Sequence, residues 1–131
     1  YVNIEKARFR NIEVVFEIEN NLPKIFIPPL VLQPLVENAI KHGLRSLENG
    51  GKVKISVSTM GQKLWFCIQD NGLGMDQKLV HRLLNFPGQK GSAGLYNINC
   101  RLSRKYGQGL CINTSPGKGF QVFFHIPVGE R

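Results

Sequence analysis

The sequence predicts an α+β fold, a two-layer sandwich in which a mixed β-sheet of about five strands carries helices on one face. Two observations predict it. Stretches that alternate apolar and polar residues, as half-buried strands do, share the chain with stretches whose apolar residues recur at helical spacing. Their order is strand, helix, hairpin, helix, helix, hairpin, and such unequal runs favour one mixed sheet. A length of 131 residues fits a single domain.

The first half of the chain supplies one strand and the first helix. We expect residues 1–10, which mix charged and apolar groups, to be the frayed end of a helix that continues upstream, with the domain itself spanning 11–131. Alternation then predicts a strand at Ile12, Val14, Phe16 and Ile18. Pro28-Pro29 opens a helix that should end near Gly43. Its apolar face consists of Leu32, Leu35, Val36, Ala39 and Ile40.

The second half supplies two hairpins separated by two helices. Its four strands are expected at 53–57, 64–68, 109–114 and 119–127. The first hairpin turns at Gly61-Gln62. Residues 76–84 suit a short helix capped by Asp76. A longer helix runs to about Tyr106, where Gly107 ends it.

Composition narrows the classes of partner. Lys and Arg number 17 against 9 Asp and Glu, and the net charge of +8 predicts an anionic partner: nucleic acid, a membrane surface or a phosphate ligand. The three cysteines lack C-x-x-C spacing, so we expect reduced thiols at Cys67, Cys100 and Cys111. No apolar run approaches the ~18–20 residues of a membrane span. Because the first residue is Tyr1, we expect an excised fragment.

The first polar segment is a helix face with Glu37, Asn38, Lys41 and His42. Taken alone, such a face is most simply solvated surface. Asn38 and Lys41 are three residues apart and therefore neighbours on a helix. An amide oxygen beside an ammonium group is a suitable seat for a magnesium-bound polyphosphate.

The other two polar segments are rich in glycine. Asp70-Asn71-Gly72-Leu73-Gly74 has the composition of an ordinary hairpin turn. A hairpin turn would be followed by a returning strand, but the next segment is predicted to be a helix. The carboxylate of Asp70 stands beside backbone that a flat ligand can approach closely. Gly91-Ser92-Ala93-Gly94-Leu95 stands at the start of a predicted helix, whose free backbone N–H groups suit an anion. A flexible loop before an ordinary helix would show the same sequence pattern.

The order of these segments is more informative than any one of them. The runs LQPLVENAIKHG, DNGLGM, GSAGLYNINCRL and SPGKGFQVFFHIP resemble the N, G1, G2 and final glycine boxes of the GHKL (Bergerat-fold) ATPases. YVNIEKARFR and IPPLVLQPLVENAIKHG are similar in particular to the catalytic ATP-binding (HATPase_c) domain of LytS-type sensor histidine kinases. The resemblance covers residues 1 to about 127.

The resemblance implies a site for ATP and Mg²⁺. At its phosphate end Asn38 would hold Mg²⁺, Lys41 would contact phosphates and His42 would pack near the nucleotide. Gly91 and Gly94 would bracket the phosphates at the end of a mobile lid.

At the base end, the resemblance implies that Asp70 accepts the exocyclic amine of adenine. Gly72 and Gly74 would let the loop pass the base, and Leu95 would floor the pocket. Two departures from the family pattern are Ser92, at a usual glycine, and Phe120, at a usual threonine. The position of a catalytic glutamate in related ATPases is Pro34, so we expect ATP binding with poor hydrolysis.

The resemblance also implies a kinase that donates the γ-phosphate to a histidine, within a two-component phosphorelay. None of His42, His81 and His125 has the neighbours of the acceptor pattern N-P-H-F-L-F-N. The acceptor should therefore lie on a separate upstream dimerisation helix domain, of which residues 1–10 would be the end. The further implied partner is a response regulator, reached through a full-length homodimeric, membrane-anchored sensor kinase of which this is a monomeric cytoplasmic domain.

Three alternatives remain. One is another GHKL member, such as a serine-kinase anti-sigma factor. Another is a degenerate nucleotide-binding module that only transmits signals, as Ser92 and Phe120 would allow. The third is a basic nucleic-acid-binding module that stacks bases on aromatic rings. The rings available for stacking are Trp65, Phe66, Phe123 and Phe124. Phe66 and Phe124 have the phase of core residues, and the positive charge is spread along the chain, so we expect no nucleic-acid partner.

Overall fold

The computed structural model describes residues 2–9, 12–19, 29–45, 51–88 and 94–127. The elements in these ranges are β1 Val2–Phe9, β2 Ile12–Glu19, α1 Pro29–Arg45, β3 Gly51–Met60, β4 Lys63–Asp70, α2 Gln77–Asn85, α3 Leu95–Tyr106, β5 Cys111–Thr114 and β6 Phe120–Pro127.

The six strands of the described ranges form one mixed sheet in the order β1-β2-β3-β4-β6-β5. The β2–β3 pair is parallel, and the other neighbouring pairs are antiparallel. Parallel neighbours need a crossover connection, and α1 lies between these two strands in sequence. The predicted α+β class with a mixed sheet is confirmed, with β1 as a sixth strand.

The prediction of a helix at residues 1–10 is wrong. Val2–Phe9 is strand β1, paired along its full length with β2 from Val2 opposite Glu19 to Phe9 opposite Ile12. The physical reason is tertiary: β2 offers backbone N–H and C=O groups on its outer side, and residues 2–9 pair with them, so that β1 becomes the edge of the sheet. A short segment of mixed polarity has too weak a pattern of its own to resist that pairing.

Helix α1 is longer than predicted at its C-terminal end. Pro29 is its first residue, as expected of a proline in the first turn, whereas Pro28 lies outside the described residues. Pro34 falls inside the helix. The helix runs through Gly43 to Arg45, so the prediction of a stop at Gly43 is wrong. A glycine costs a helix interior only about 1 kcal/mol.

One hydrophobic core joins the three helices to one face of the sheet. Helix α1 contributes Leu35 and Ala39 and packs on β2, β3 and β4. The strands contribute alternate residues, including Phe66 and Phe124, whose stacked ring centroids are 4.8 Å apart. The other helical core residues are Val80, Leu83, Leu95, Ile98 and Leu102. The predicted two-layer arrangement and the core placement of Phe66 and Phe124 are confirmed.

The predicted N-terminal cap of α2 and the predicted end of α3 are both confirmed. Asp76 caps α2, since its Oδ1 accepts a hydrogen bond of 2.7 Å from the Lys78 backbone N–H. Gly107 ends α3 in the left-handed conformation, with its N–H bonded to Ser103 O at 2.9 Å.

The opposite phase of the strands carries the remaining aromatic residues. Trp65, Phe123 and His125 are half-buried there, with the Trp65 and His125 rings 4.5 Å apart between centroids. Burial and, secondarily, the charge of Lys63 lower the pKa of His125. Its Nε2 also lies 2.9 Å from Gln108 Oε1. His125 therefore takes part in the sheet as a residue of β6.

Candidate functional site

Asp70 is the last residue of β4, and its side chain is buried to 4% exposure. Strand alternation puts it on the core side together with Phe66 and Ile68. Its Oδ1 accepts a 2.8 Å hydrogen bond from the Gly72 backbone N–H, a turn typical of aspartate. That bond fixes the carboxylate at the point where the strand gives way to the loop.

Asn71 ties the start of this loop to β3. Its backbone N–H donates to Lys52 O at 3.2 Å, and its Oδ1 accepts from the Lys52 N–H at 2.8 Å. The side chain of Asn71 therefore continues the strand pairing by one residue. Its Oδ1 therefore ties the loop to the scaffold.

Gly74 brings the loop into backbone contact with the turn at residues 115–119. Its φ of +69° suits glycine, and a Cβ there would overlap Ser115 O and stand 2.8 Å from Gly119 O. Gly117 N–H also donates to Leu73 O at 2.6 Å. The DNGLG and SPGKG segments, far apart in sequence, thus form one structure.

Thr114 joins the same two segments through its side chain, and sequence reasoning missed it. Its hydroxyl accepts from the Met75 N–H at 3.1 Å and donates to Gly119 O at 2.5 Å. Its carbonyl accepts from Gln77 Nε2 at 2.9 Å. A signal existed: Thr114 stands in the core phase of β5, two residues after Ile112, where an apolar side chain is expected.

Helix α1 separates its polar residues by exposure. Asn38 is buried to 6%, whereas Lys41, one turn further on, is exposed. Glu37 is also exposed and accepts a 3.1 Å hydrogen bond from Gln33 Nε2 along the helix. The structure thus places the amide of Asn38 inward and the carboxylate of Glu37 outward.

Helix α3 begins at the third segment. Gly94 precedes it with a φ of +79°, and its carbonyl accepts from the Ile98 N–H at 3.0 Å. Leu95, the first helical residue, is buried to 2%. Gly91 lies outside the described residues, as does the side chain of His42.

The predicted site residues therefore fall into two groups on one side of the sheet. Asp70, Gly72 and Gly74 share one loop, while Asn38 and Leu95 come from helices that belong to the same core layer and contact each other. Within the described ranges, no cluster of three or more His, Cys, Asp or Glu could hold a metal ion. A single amide oxygen fits a magnesium ion that takes its other oxygens from phosphate and water.

Two cavities flank the C-terminal end of β4. One of about 220 Å³ is lined by Lys52, Lys54, Gln69, Asp70 and Asn71. The other, of about 170 Å³, is lined by Gln69, Asn113, Thr114, Ser115, Lys118, Phe120 and Gln121. Three of the four ionisable residues that line them are lysines, namely Lys52, Lys54 and Lys118. This agrees with the excess of positive charge in the chain.

Comparison with known families finds one match over most of the chain. Residues 28–130 match the family described as histidine kinase-, DNA gyrase B-, and HSP90-like ATPase. Sensor histidine kinase YpdA of Escherichia coli is 38% identical over 97% of the chain. The sensor protein LytS of Bacillus subtilis is 34% identical over 99% of it. The chain spans only 22% and 23% of the lengths of these two relatives.

Solved structures show the same fold. The catalytic domain of histidine kinase ThkA superposes with a TM-score of 0.73 at 25% identity, over 89% of this chain and 80% of that one. A structure of ThkA in complex with the response regulator protein TrrA gives a TM-score of 0.71 at 25% identity, covering 89% of this chain and 34% of that one. In the part of the chain that the structure describes, no helix has the length and apolar content needed to cross a bilayer.

Proposed function

The chain belongs to the family of histidine kinase-, DNA gyrase B- and HSP90-like ATPases, and on that premise we propose that it binds ATP with Mg²⁺ and donates the γ-phosphate to a histidine on a separate helical domain. The observation that supports this best is the buried carboxylate of Asp70 at the end of β4. It stands in a loop that close backbone contact at Gly74 locks to the turn at 115–119.

The base end of the proposed site is built around Asp70. Its carboxylate accepts hydrogen bonds and would read the exocyclic amine of adenine, which a 6-oxo base does not carry. The Gly72 N–H, bonded to Oδ1, holds the group in position. Gly72 and Gly74 keep side chains out of the loop, and Leu95 supplies apolar surface.

The phosphate end is assigned to α1 and to the start of α3. Asn38 would hold Mg²⁺ through its amide oxygen, and Lys41 and His42 would lie along the phosphates. Mg²⁺, when bound, neutralises negative charge on the phosphate oxygens. Gly91 and Gly94 would bracket the phosphates, where a helix N-terminus favours an anion.

The reaction is phosphoryl transfer to nitrogen. The bond between the γ-phosphorus and its bridging oxygen breaks, a bond to an imidazole nitrogen forms, and ADP leaves. The chain's own His42, His81 and His125 lack the neighbours of the acceptor pattern N-P-H-F-L-F-N, and His125 packs against Trp65. The imidazole would come from a dimerisation helix domain supplied in the longer protein or in trans.

The longer protein would be a homodimeric, membrane-anchored sensor kinase with this domain in the cytoplasm, and a response regulator would receive the phosphate. Support comes from the names of the relatives, which are sensor kinases, and from the ThkA neighbour, seen with the response regulator TrrA. Isolated, the chain should be monomeric. It should also be a poor ATPase, because Pro34 stands where related ATPases carry a glutamate.

Calorimetric titration with Mg-ATP tests the binding proposal. Asp70→Asn removes the negative charge of the carboxylate that would accept the hydrogen bond from the adenine amine. We expect the affinity of this variant for Mg-ATP to fall at least about tenfold, which is ~1.4 kcal/mol. Asp76→Asn is the matched control, since Asp76 is exposed and caps α2. Equal affinities for Asp70→Asn and the wild type would count against the site.

Transfer is tested with γ-labelled ATP and a helical acceptor domain of this kinase class added in trans. Label should move to the acceptor in an acid-labile, base-stable form, and Asn38→Ala should abolish the transfer. Label that appears on the chain itself would contradict the separate-acceptor proposal. Binding of nucleic acid with a steep salt dependence, in place of ATP, would favour the basic-module alternative.

A further inference from the structure

We propose that Thr114 is a positioning residue that sets the base selectivity of the site, an inference that rests on the proposed ATP-binding function. We assign Thr114 no direct contact with the nucleotide. It acts through the backbone on either side of Asp70, the residue assigned to read the base.

The Thr114 hydroxyl is buried at the junction of three elements. The residue is 6% exposed, and its hydroxyl bonds Met75 N–H at 3.1 Å and Gly119 O at 2.5 Å. Gln77 Nε2 bonds its carbonyl at 2.9 Å. One residue of β5 thereby holds the end of the glycine loop, the first turn of α2 and the end of the 115–119 turn.

Both segments that Thr114 joins also flank Asp70. Met75 ends the loop that begins at Asp70, and a Cβ at Gly119 would overlap the Asp70 carbonyl oxygen. Phe120 pairs with Asp70 on one side and with Thr114 on the other. The backbone of Asp70 is held by its strand pairing with Val53 and Phe120 and by the spacing of loop and turn, which the hydroxyl of Thr114 bridges.

A shift of the Asp70 backbone changes the hydrogen bond to the base and leaves the phosphate contacts alone. Hydrogen bonds prefer donor angles above ~150° and weaken steeply below ~120°, so a displacement that turns the carboxylate away from the amine weakens the bond. The phosphate groups are assigned to α1 and α3, whereas the hydrogen bonds of Thr114 go to Met75, Gln77 and Gly119. Loss of the hydroxyl should therefore lower affinity for a base with an exocyclic amine more than for a base without one.

The test compares affinities for ATP and for inosine triphosphate, which carries oxygen in place of the amine, by calorimetry with Mg²⁺. Thr114→Val, which keeps the shape and removes the hydroxyl, should bind ATP about tenfold more weakly while its inosine triphosphate affinity stays unchanged. Thr114→Ser, which keeps the hydroxyl, should retain the wild-type ratio of the two affinities.

Thr59→Val is the matched control. The Thr59 hydroxyl donates to Glu19 Oε1 at 2.7 Å near the far end of β3, so its removal weakens the same sheet away from the site. It should lower the melting temperature and leave the affinity ratio unchanged. A purely structural role for Thr114 would give the same pattern in Thr114→Val.

An unchanged ratio in Thr114→Val, with wild type binding ATP, overturns this proposal and leaves the proposed function standing. A wild-type chain that binds neither nucleotide overturns both. Where Thr114→Val does not fold, Thr114→Cys decides, because a thiol is a weak donor and acceptor. Its ratio should fall part of the way, and a wild-type ratio in Thr114→Cys would refute the role of the hydroxyl.

Discussion

Gly74→Ala is the substitution that bears most directly on how the site is assembled. Gly74 has a φ of +69°, and placing an alanine in this region costs about 1–2 kcal/mol. Its Cβ would also overlap Ser115 O and crowd Gly119 O at 2.8 Å. Forcing extra atoms into a packed region costs a further ~1–3 kcal/mol. We therefore expect the free energy of unfolding to fall by about 2–5 kcal/mol.

Gly117→Ala separates the cost of the left-handed backbone conformation from the cost of crowding. Gly117 lies in the turn that Gly74 contacts, with a φ of +77°, but a Cβ there would meet no atom within 4 Å. Only the backbone cost of about 1–2 kcal/mol applies to it. Urea denaturation of both variants gives the difference directly, provided that the slope against urea concentration stays constant.

Ligand binding gives a second measure of the same perturbation. Gly74→Ala should weaken Mg-ATP binding because it pushes the loop that carries Asp70 away from the turn, whereas Gly117→Ala should bind as the wild type does. If Gly74→Ala loses no more stability than Gly117→Ala, the loop and the turn are not in backbone contact. The proposed site could then not be formed by those two segments together.

Three further outcomes are expected. Asp76→Ala should lower stability by about 1 kcal/mol in urea and leave Mg-ATP affinity unchanged, because it removes only the cap of α2. Phe66→Ala should lower it by about 3–5 kcal/mol in the same assay, and a loss under ~1 kcal/mol would contradict the stacking on Phe124. Burial lowers the pKa of His125 in the folded chain, whereas the imidazole of the unfolded chain has a pKa of about 6.5. The unfolded chain therefore binds the proton more tightly than the folded chain does. Stability should thus be greatest above that pH and fall as the pH drops through the lowered pKa. The urea midpoint of His125→Gln should fall less over that window, and an identical slope would contradict this origin.

Strong local patterns allowed most of the fold to be predicted. Strict alternation identified β4 and β6, since residues such as Phe66 and Phe124 must all face one core. Asp76 and Gly107 marked helix ends because their chemistry satisfies backbone groups locally. These signals depend on neighbours in sequence, which is why the sequence alone was sufficient for them.

What could not be predicted depends on contacts between distant segments. Val2–Phe9 is a strand only because β2 offers an edge to pair with. Gly43 continues α1 where its local preference favours an end. Asp70 and Gly74 were recognised from their motif, but Thr114 acquires its role only when β5 brings its hydroxyl to Met75 and Gly119.

The proposed function requires that a nucleotide binds on the helix side of the sheet at the end of β4. Amide chemical shifts of the labelled chain, followed during titration with Mg-ATP, test it most directly. We expect shifts concentrated at residues 70–75 and 94–98 and near Asn38, with little change at Phe123 and His125. Shifts confined to Lys52, Lys54 and their neighbours on the opposite face, or no shifts at saturating nucleotide, would contradict it.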